Sequence, residues 1–309
     1  MAVPAPDHRY DAIIAGGSFA GLSAALQLVR ARRRVLVVDT GLPRNRFAHA
    51  SHGFLGQDGR TPAEILETGR AQVLAYPTAE LRENAAIHAA ARDGAFEVAL
   101  ESGGLAHARR LILATGVVDE LPDLPGLRER WGRSVLHCPY CHGYEVAGRR
   151  LGVLATGESN LHQALLLPDW SGDVTLFTND TFEPDAAQRA ALAARGARVE
   201  PRRVVELLGE GDGLDGVRVH GEGGDAVIPL DALFTASRTR MASPLAGQLG
   251  CAFDDGPFGP VVRTDASKET TVPGVYAAGD MARAPHTVTW AAADGVTAGI
   301  AVHRSLALG

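Results

Sequence analysis

The sequence predicts an α/β fold of two parallel-sheet units with helices packed on both faces. Three features of the chain carry that expectation. YDAIIAGGSFAGLSAALQLVRARRRVLVVDTG, from Tyr10, runs strand, glycine turn, helix and strand, and closes on the acid Asp39, which makes one complete βαβ unit. RRLGVLATGESNLHQALLLPDWSGDVTLFTND, from Arg149, runs through the same order a second time with fewer glycines. The 309 residues exceed the roughly 100–200 of one typical domain, so two such units fit. Together these describe two Rossmann-like three-layer dinucleotide-binding domains.

Composition narrows the function classes. A balance of 46% hydrophobic and 21% charged residues, with no low-complexity tract, describes a globular chain. The formal net charge of −6, with both signs interspersed, gives no electrostatic reason to expect nucleic acid or an anionic membrane as partner. The one basic run, Arg30 to Arg34, falls where a helix ends, and cations suit that end of the helix dipole. No apolar run approaches the roughly 20 residues of a bilayer span, and MAVPAPDHRY lacks the basic and apolar sections of a secretory signal. The cytoplasm is therefore the expected compartment. Three cysteines cannot form an even framework of structural bridges, and Cys251, in QLGCAFDD, is expected to be a buried small hydrophobe.

The first turn has a physical logic. Gly16 permits the tight bend, the helix starting near Ser18 aims backbone N–H groups at a pyrophosphate, and Gly21 lets helix and strand pack closely. Asp39 then ends the second strand about twenty residues on, where a carboxylate accepts hydrogen bonds from a ribose. The middle glycine of G-x-G-x-x-G is here Ser18, and the flanking apolar strands and the acid at the right distance make up for it. Gly16, Gly17, Ser18, Ala20, Gly21 and Asp39 are the candidate dinucleotide contacts.

Two further stretches, LILATG (Leu111 to Gly116) and GVYAAGD (Gly274 to Asp280), are apolar strands ending in small residues that a ligand could approach closely. With the first βαβ unit they resemble the flavoproteins built of two dinucleotide-binding domains. That resemblance implies FAD at the first site, with Thr115, Gly116, Gly279 and Asp280 as added contacts. It also implies that the last helix, around HTVTWAAADGVTAGIAVHRSL, presents its N-terminal amides to the pyrimidine edge of the flavin, with Thr289 and Trp290 nearby.

The stretch HCPYCHGYE holds Cys138 and Cys141 two residues apart between His137 and His142. A structural zinc site wants four ligands, usually as two separated pairs, and there is no second C-x-x-C or H-x-x-x-H, so no metal is expected. A staple across so short a loop removes little unfolded-state entropy. Redox chemistry remains: the pair can open and close reversibly, and His137 or His142 can move the proton. At this point the chain resembles the low-molecular-weight thioredoxin reductases over nearly its full length. The resemblance implies that Cys141 faces the flavin while Cys138 meets the substrate. It also implies a homodimer and a discontinuous FAD domain, residues 1–119 and 243–309, around an NAD(P)H-type domain of residues 120–242. His142 stands where thioredoxin reductases carry an aspartate, which keeps an acid–base group and changes its charge.

The second turn departs from the pattern. Ala155, Gly157 and Asn160 occupy the three glycine positions, and no arginine follows LFTND until Arg189, although a planar guanidinium is what grips a 2′-phosphate. NADPH is therefore doubted as an electron source. The pattern, with HASHGFLGQDG and GGSFAGLSAALQL, resembles the dithiol oxidase branch of the family, whose members close disulfides of gliotoxin-, holomycin- and romidepsin-type products. The resemblance implies a small dithiol substrate and molecular oxygen as acceptor. The rival readings are an NAD(P)H-dependent thioredoxin or disulfide reductase using the same residues in reverse, a redox sensor without turnover, and a flavin monooxygenase, which would leave the cysteine pair unused.

Overall fold

A computed structural model describes residues 10–92 and 94–309; the segment MAVPAPDHR, used above against a secretory signal, lies outside the described residues. The chain forms two compact units. The first comprises Met1–Arg46, Pro62–Val118 and Thr239–Gly309, the second Phe47–Thr61 and Asp119–Arg238. The sequence reading kept residues 47–61 with the first unit. They belong to the second because Phe47 lies against Gly132, where a side chain would bring a Cβ to 2.7 Å from the Phe47 Cβ.

The path through the first unit opens with β1 (Tyr10–Ala15), α1 (Phe19–Arg30), β2 (Val35–Asp39), α2 (Pro62–Leu74) and β3 (Ala79–Glu83), then β4 (Ala86–Arg92), β5 (Ala95–Leu100) and β6 (Leu105–Leu113). It leaves through β7 (Val117–Glu120). The second unit carries β8 (Val135–Leu136), α3 (Pro139–His142), β9 (Leu151–Leu154), α4 (Leu161–Leu166), β10 (Val174–Phe177), α5 (Ala186–Ala194) and β11 (Arg198–Glu200). A meander of β12 (Arg203–Leu208), β13 (Gly216–His220) and β14 (Ala226–Pro229) precedes β15 (Ala232–Phe234). The chain returns through β16 (Arg238–Met241) to α6 (Leu245–Gln248), β17 (Phe253–Gly256), β18 (Gly259–Val262), β19 (Val275–Ala277) and α7 (Val288–Leu308).

In the first unit β3, β2, β1 and β6 run parallel in that order, β19 pairs parallel with β6, and β5 and β4 continue antiparallel. Successive strand residues face opposite layers. Ala12, Ile14, Val35, Val37 and Ile112 face α1 and α7, whereas Ile13, Leu36, Leu111 and Leu113 face the layer holding Phe96, Val98 and Leu245. Both faces are buried, which is why these strands read as continuous apolar runs. Helices α1 and α7 approach so closely that a Cβ on Gly295 would lie 2.0 Å from the Ala20 carbonyl oxygen, and one on Gly299 2.7 Å from that of Ala24. Beside Gly295, Asp294, 5% exposed, is compensated by Lys268 Nζ at 2.8 Å and Arg283 Nη1 at 3.2 Å.

The second unit is built on an all-parallel sheet in the order β11, β10, β9, β15, β8, with the three-stranded antiparallel meander beside it. Leu151, Val153, Leu176 and Phe234 fill one face; Leu154, Phe177 and Leu233 fill the other. Among the described residues no helix is long and apolar enough to cross a membrane. Gly295→Val should lower the thermal midpoint by an amount matching roughly 1–3 kcal/mol of overpacking. Gly247→Ala, in open space in α6, should leave it unchanged or raise it, as calorimetry of the two variants would reveal.

Candidate functional site

The first candidate site lies at the carboxyl ends of β2, β1, β6 and β19, adjacent parallel strands whose turns end together. Gly16 has φ +103°, and a Cβ there would sit 2.2 Å from the Ala114 carbonyl oxygen; one on Gly21 would sit 1.8 Å from the Gly16 carbonyl oxygen. Only glycines allow this turn. Ser18 occupies the N-cap of α1 with extended backbone and makes no side-chain cap, so no side chain caps the first-turn amides from that position. Gly17 N–H donates to Asp39 Oδ1 at 3.0 Å, and Arg70 Nη2 of α2 holds Asp39 Oδ2 at 2.5 Å. A carboxylate has lone pairs beyond these two contacts with which to accept from a ribose. The sequence reading missed Arg70, which lies on a helix with no motif to mark it.

Thr115 and Gly116 follow β6, and Gly279 and Asp280 follow β19, whose Ala277 is in register with Leu113. Gly116 has φ +70° with no atom within 4 Å of a notional Cβ, while a Cβ on Gly279 (φ +79°) would come 3.0 Å from that of Ala20. Space is thus left beside Gly116 and closed beside Gly279. Asp280 pairs with Arg44 Nη1 at 2.9 Å, and the same nitrogen lies 2.7 Å from His286 Nδ1. The Thr115 hydroxyl points at Met281 Sδ, 3.6 Å away. At the start of α7 the expected presentation of amides is altered: Thr287 Oγ1 accepts from the Trp290 N–H at 3.1 Å, and the Trp290 ring lies under Arg283, 4.8 Å from Cζ to centroid. Thr289 occupies the turn between them. The uncapped helix start and the glycine-only turn, with a carboxylate on the neighbouring strand, fit the dinucleotide group the sequence implies.

The second candidate site is the cysteine pair. Cys138 and Cys141 form a disulfide with Cα atoms 5.2 Å apart. Cys138 is the N-cap of α3, Pro139 takes the first helical position, and Cys141 N–H donates to Cys138 O at 3.1 Å, which closes the short loop. Tyr140, between the cysteines, is 72% exposed and meets Trp170 edge-on at 5.7 Å. His142 is half-buried in the same helix. Burial pushes its pKa down, with a smaller lowering from His52, while Glu145 opposes. The loop Phe47–Thr61 supplies that His52, whose Nε2 lies 3.4 Å from Glu145 Oε1 and whose Nδ1 lies 3.6 Å from Asp58 Oδ1. Neither His52 nor Glu145 was assigned a role from sequence, because their proximity depends on a loop ninety-odd residues upstream. A neutral imidazole beside a thiol is an acceptor for its proton. Among the described residues no group of His, Cys, Asp and Glu is placed to hold a metal ion. Cys251 is buried, and burial pushes its thiol pKa up, which suits an inert packing residue.

The turn after β9 differs from the one after β1. Glu158–Asn160 form a 3-10 turn before the six-residue α4, and Asn160 folds back so that its Oδ1 accepts the Thr156 N–H at 2.9 Å. Beyond β10, Arg189 is held by Glu183 Oε1 at 2.7 Å and by the Pro184 carbonyl at 2.9 Å. Because His142 is shifted down, NMR titration should place its midpoint below the usual histidine value near 6.5. Glu145→Gln should lower it further and His52→Gln should raise it; opposite signs would refute this account of its surroundings.

Residues 10–295 match the model of the pyridine nucleotide-disulphide oxidoreductase family. The thioredoxin reductase tcpT of Claviceps purpurea (strain 20.1) is 37% identical over 279 residues, covering 87% of this chain and 86% of the relative. The crystal structure of an oxidoreductase from Agrobacterium tumefaciens superposes with a TM-score of 0.90 at 49% identity, covering 96% of this chain and 98% of the other. That of HlmI superposes with a TM-score of 0.87 at 41% identity, covering 96% and 92%. The chain therefore belongs to the pyridine nucleotide-disulphide oxidoreductase family, as a thiol–disulfide oxidoreductase of the thioredoxin reductase type, a group that uses FAD with NADPH as second cofactor.

Proposed function

We propose that the protein is a dithiol oxidase, closing a disulfide in a small substrate through Cys138 and Cys141, with molecular oxygen rather than a nicotinamide cofactor at the other end of the electron path. The observation that carries this reading is the turn after β9. The Thr156 N–H there is taken by the Asn160 side chain, and Arg189, the first arginine after β10, is engaged by Glu183. A turn whose backbone donor is consumed internally offers little to a pyrophosphate, and a guanidinium already neutralised offers little to a 2′-phosphate.

The chemistry begins at Cys138. A substrate thiolate attacks Cys138 Sγ, the bond between the cysteines breaks, and Cys141 leaves as a thiolate. The second substrate thiol then gives its proton to His142 or His137 and attacks the substrate sulfur of the mixed disulfide, displacing Cys138, which takes up a proton. The substrate has passed two electrons to the cysteine pair and lost two protons, one before the first attack and one to the histidine; the pair is left as the Cys138 thiol and the Cys141 thiolate. In the first unit Gly16, Gly17, Ser18, Ala20, Gly21, Asp39, Thr115, Gly116, Gly279 and Asp280 are the residues proposed to hold FAD, with Thr289 and Trp290 near it. Two-electron transfer between the cysteine pair and dioxygen is the chemistry a bound FAD supplies. The balance is one dithiol and one dioxygen giving one disulfide and one hydrogen peroxide.

Family use of NADPH supports a second reading, a reductase that runs the same thiol exchange toward dithiol. Mixing the yellow holoprotein with NADPH or with dithiothreitol in the absence of oxygen separates the two. Rapid bleaching by the dithiol and slow or absent bleaching by NADPH is the expected outcome, and the reverse order would overturn the oxidase reading. Cys138→Ser should reduce dithiol turnover, followed by peroxide release, by at least a thousandfold, since the exchange step has no other electrophilic sulfur.

A further inference from the structure

A line of hydrogen bonds runs from the turn after β9 to the residue before Cys138, wholly within the second unit. Thr156 N–H donates to Asn160 Oδ1 at 2.9 Å, Asn160 Nδ2 donates to Gln163 Oε1 at 2.9 Å, and Gln163 Nε2 donates to the His137 carbonyl at 2.7 Å. The orientation of both amides follows from the ends of the line. A backbone N–H can only donate and a backbone carbonyl can only accept, so each side-chain amide between them must present oxygen toward Thr156 and nitrogen toward His137. Asn160 is 0% and Gln163 8% exposed, so water cannot replace a broken link without opening the core, and each loss leaves a buried amide group unsatisfied. The turn itself is anchored, since the Thr156 hydroxyl donates to the Ala236 carbonyl at 2.8 Å. Leu136, the residue before His137, accepts the Thr235 N–H at 2.9 Å.

The far end of the line is where the redox loop is least braced by its own structure. Helix α3 is one turn long, and Cys138 at its N-cap makes no side-chain cap. The sulfur of Cys138 is carried by backbone that enters the helix from β8, a strand of two residues. At this entry Gln163 Nε2 reaches the His137 peptide carbonyl directly.

We propose that Asn160 and Gln163 are positioning residues for Cys138. The side chains at a degenerate nucleotide turn have been turned inward to clamp the peptide ahead of the sulfur that meets substrate. The assignment of Cys138 as that sulfur rests on the function proposed above; the clamp itself does not. Holding the carbonyl holds Cys138 Sγ within reach of Cys141, which raises the effective concentration of one thiol at the other and so favours the bridged over the open form. The turn thereby acts on the cysteine pair without touching a sulfur.

The test measures the bridge alone. Holoprotein is equilibrated without oxygen in glutathione buffers of graded ratio, quenched with acid, alkylated, and the Cys138–Cys141 disulfide fraction read by mass spectrometry. Gln163→Met, which keeps length and loses both hydrogen bonds, should lower the equilibrium constant for bridge formation about tenfold, ~30 mV for a two-electron couple. Gln163→Glu, which sets a carboxylate oxygen against the His137 carbonyl, should shift it in the same direction. Asn160→Ala should shift it less, and the double variant Asn160→Ala with Gln163→Met should move no further than Gln163→Met alone, because the two side chains act in series. Values for Gln163→Met within twofold of the unaltered protein, or additive shifts in the double variant, would overturn the proposal. Hydrogen exchange of the unaltered protein requires no variant to fold: the Thr156 amide should be protected like the β9 core, and exchange at the rate of an open loop would equally overturn it. Neither readout depends on oxygen or NADPH, so a failed clamp and a failed oxidase reading give separate results.

Discussion

A parallel strand that turns directly into a helix leaves backbone N–H groups with no helical partner at the strand's carboxyl end, and something must satisfy them. The two units meet this constraint differently. After β1 the turn is made by glycines too crowded to carry side chains, and the cap position makes no side-chain bond, so the helix start remains suited to an anionic ligand. After β9 the amide of Thr156 is satisfied by Asn160, three residues past the surviving Gly157. One frame leaves its helix start free of a side-chain cap; the other draws its turn amide into the protein's own hydrogen bonding.

The rest of the first unit is arranged around that helix start. Gly295 and Gly299 let α7 lie against α1, and the buried Asp294 on α7 is balanced by Lys268 and Arg283. The two carboxylates expected to face the dinucleotide are each held by a cation, Asp39 by Arg70 and Asp280 by Arg44. Such pairs fix the direction of a carboxylate while leaving it lone pairs with which to accept from a hydroxyl. In the second unit the same economy places a half-buried imidazole, lowered in pKa by burial, one residue from a cysteine.

The turn from Gly16 to Gly21, the strands leading to Gly116 and Asp280 and the C-x-x-C pair were all legible in the sequence, because each is a local pattern set by spacing along the chain. The bulk of Asn160 at a glycine position was legible too, as a departure from the nucleotide pattern. What its amide does was not legible, since that depends on the side chain folding back toward Thr156 and forward to Gln163. Arg44 and Arg70 carry no motif, and His52 and Glu145, though inside HASHGFLGQDG and HCPYCHGYE, show nothing in sequence of their contact with each other. Their partners are Asp280, Asp39 and, for His52 and Glu145, each other, and two of these pairings span long loops.

The sequence by itself determined the alternation of strand and helix, the C-x-x-C pair that forms the disulfide and the order of the glycine turns, because backbone sterics and hydrophobic period act over a few residues. Tertiary structure decided which groups compete for each backbone donor and each carboxylate. It moved residues 47–61 into the second unit, brought His52 to Glu145, and tied the turn after β9 to the peptide before Cys138. Hydrogen bonds and ion pairs reach only about 3–4 Å, so a partner distant in sequence is recognisable only after the fold has brought it within that distance.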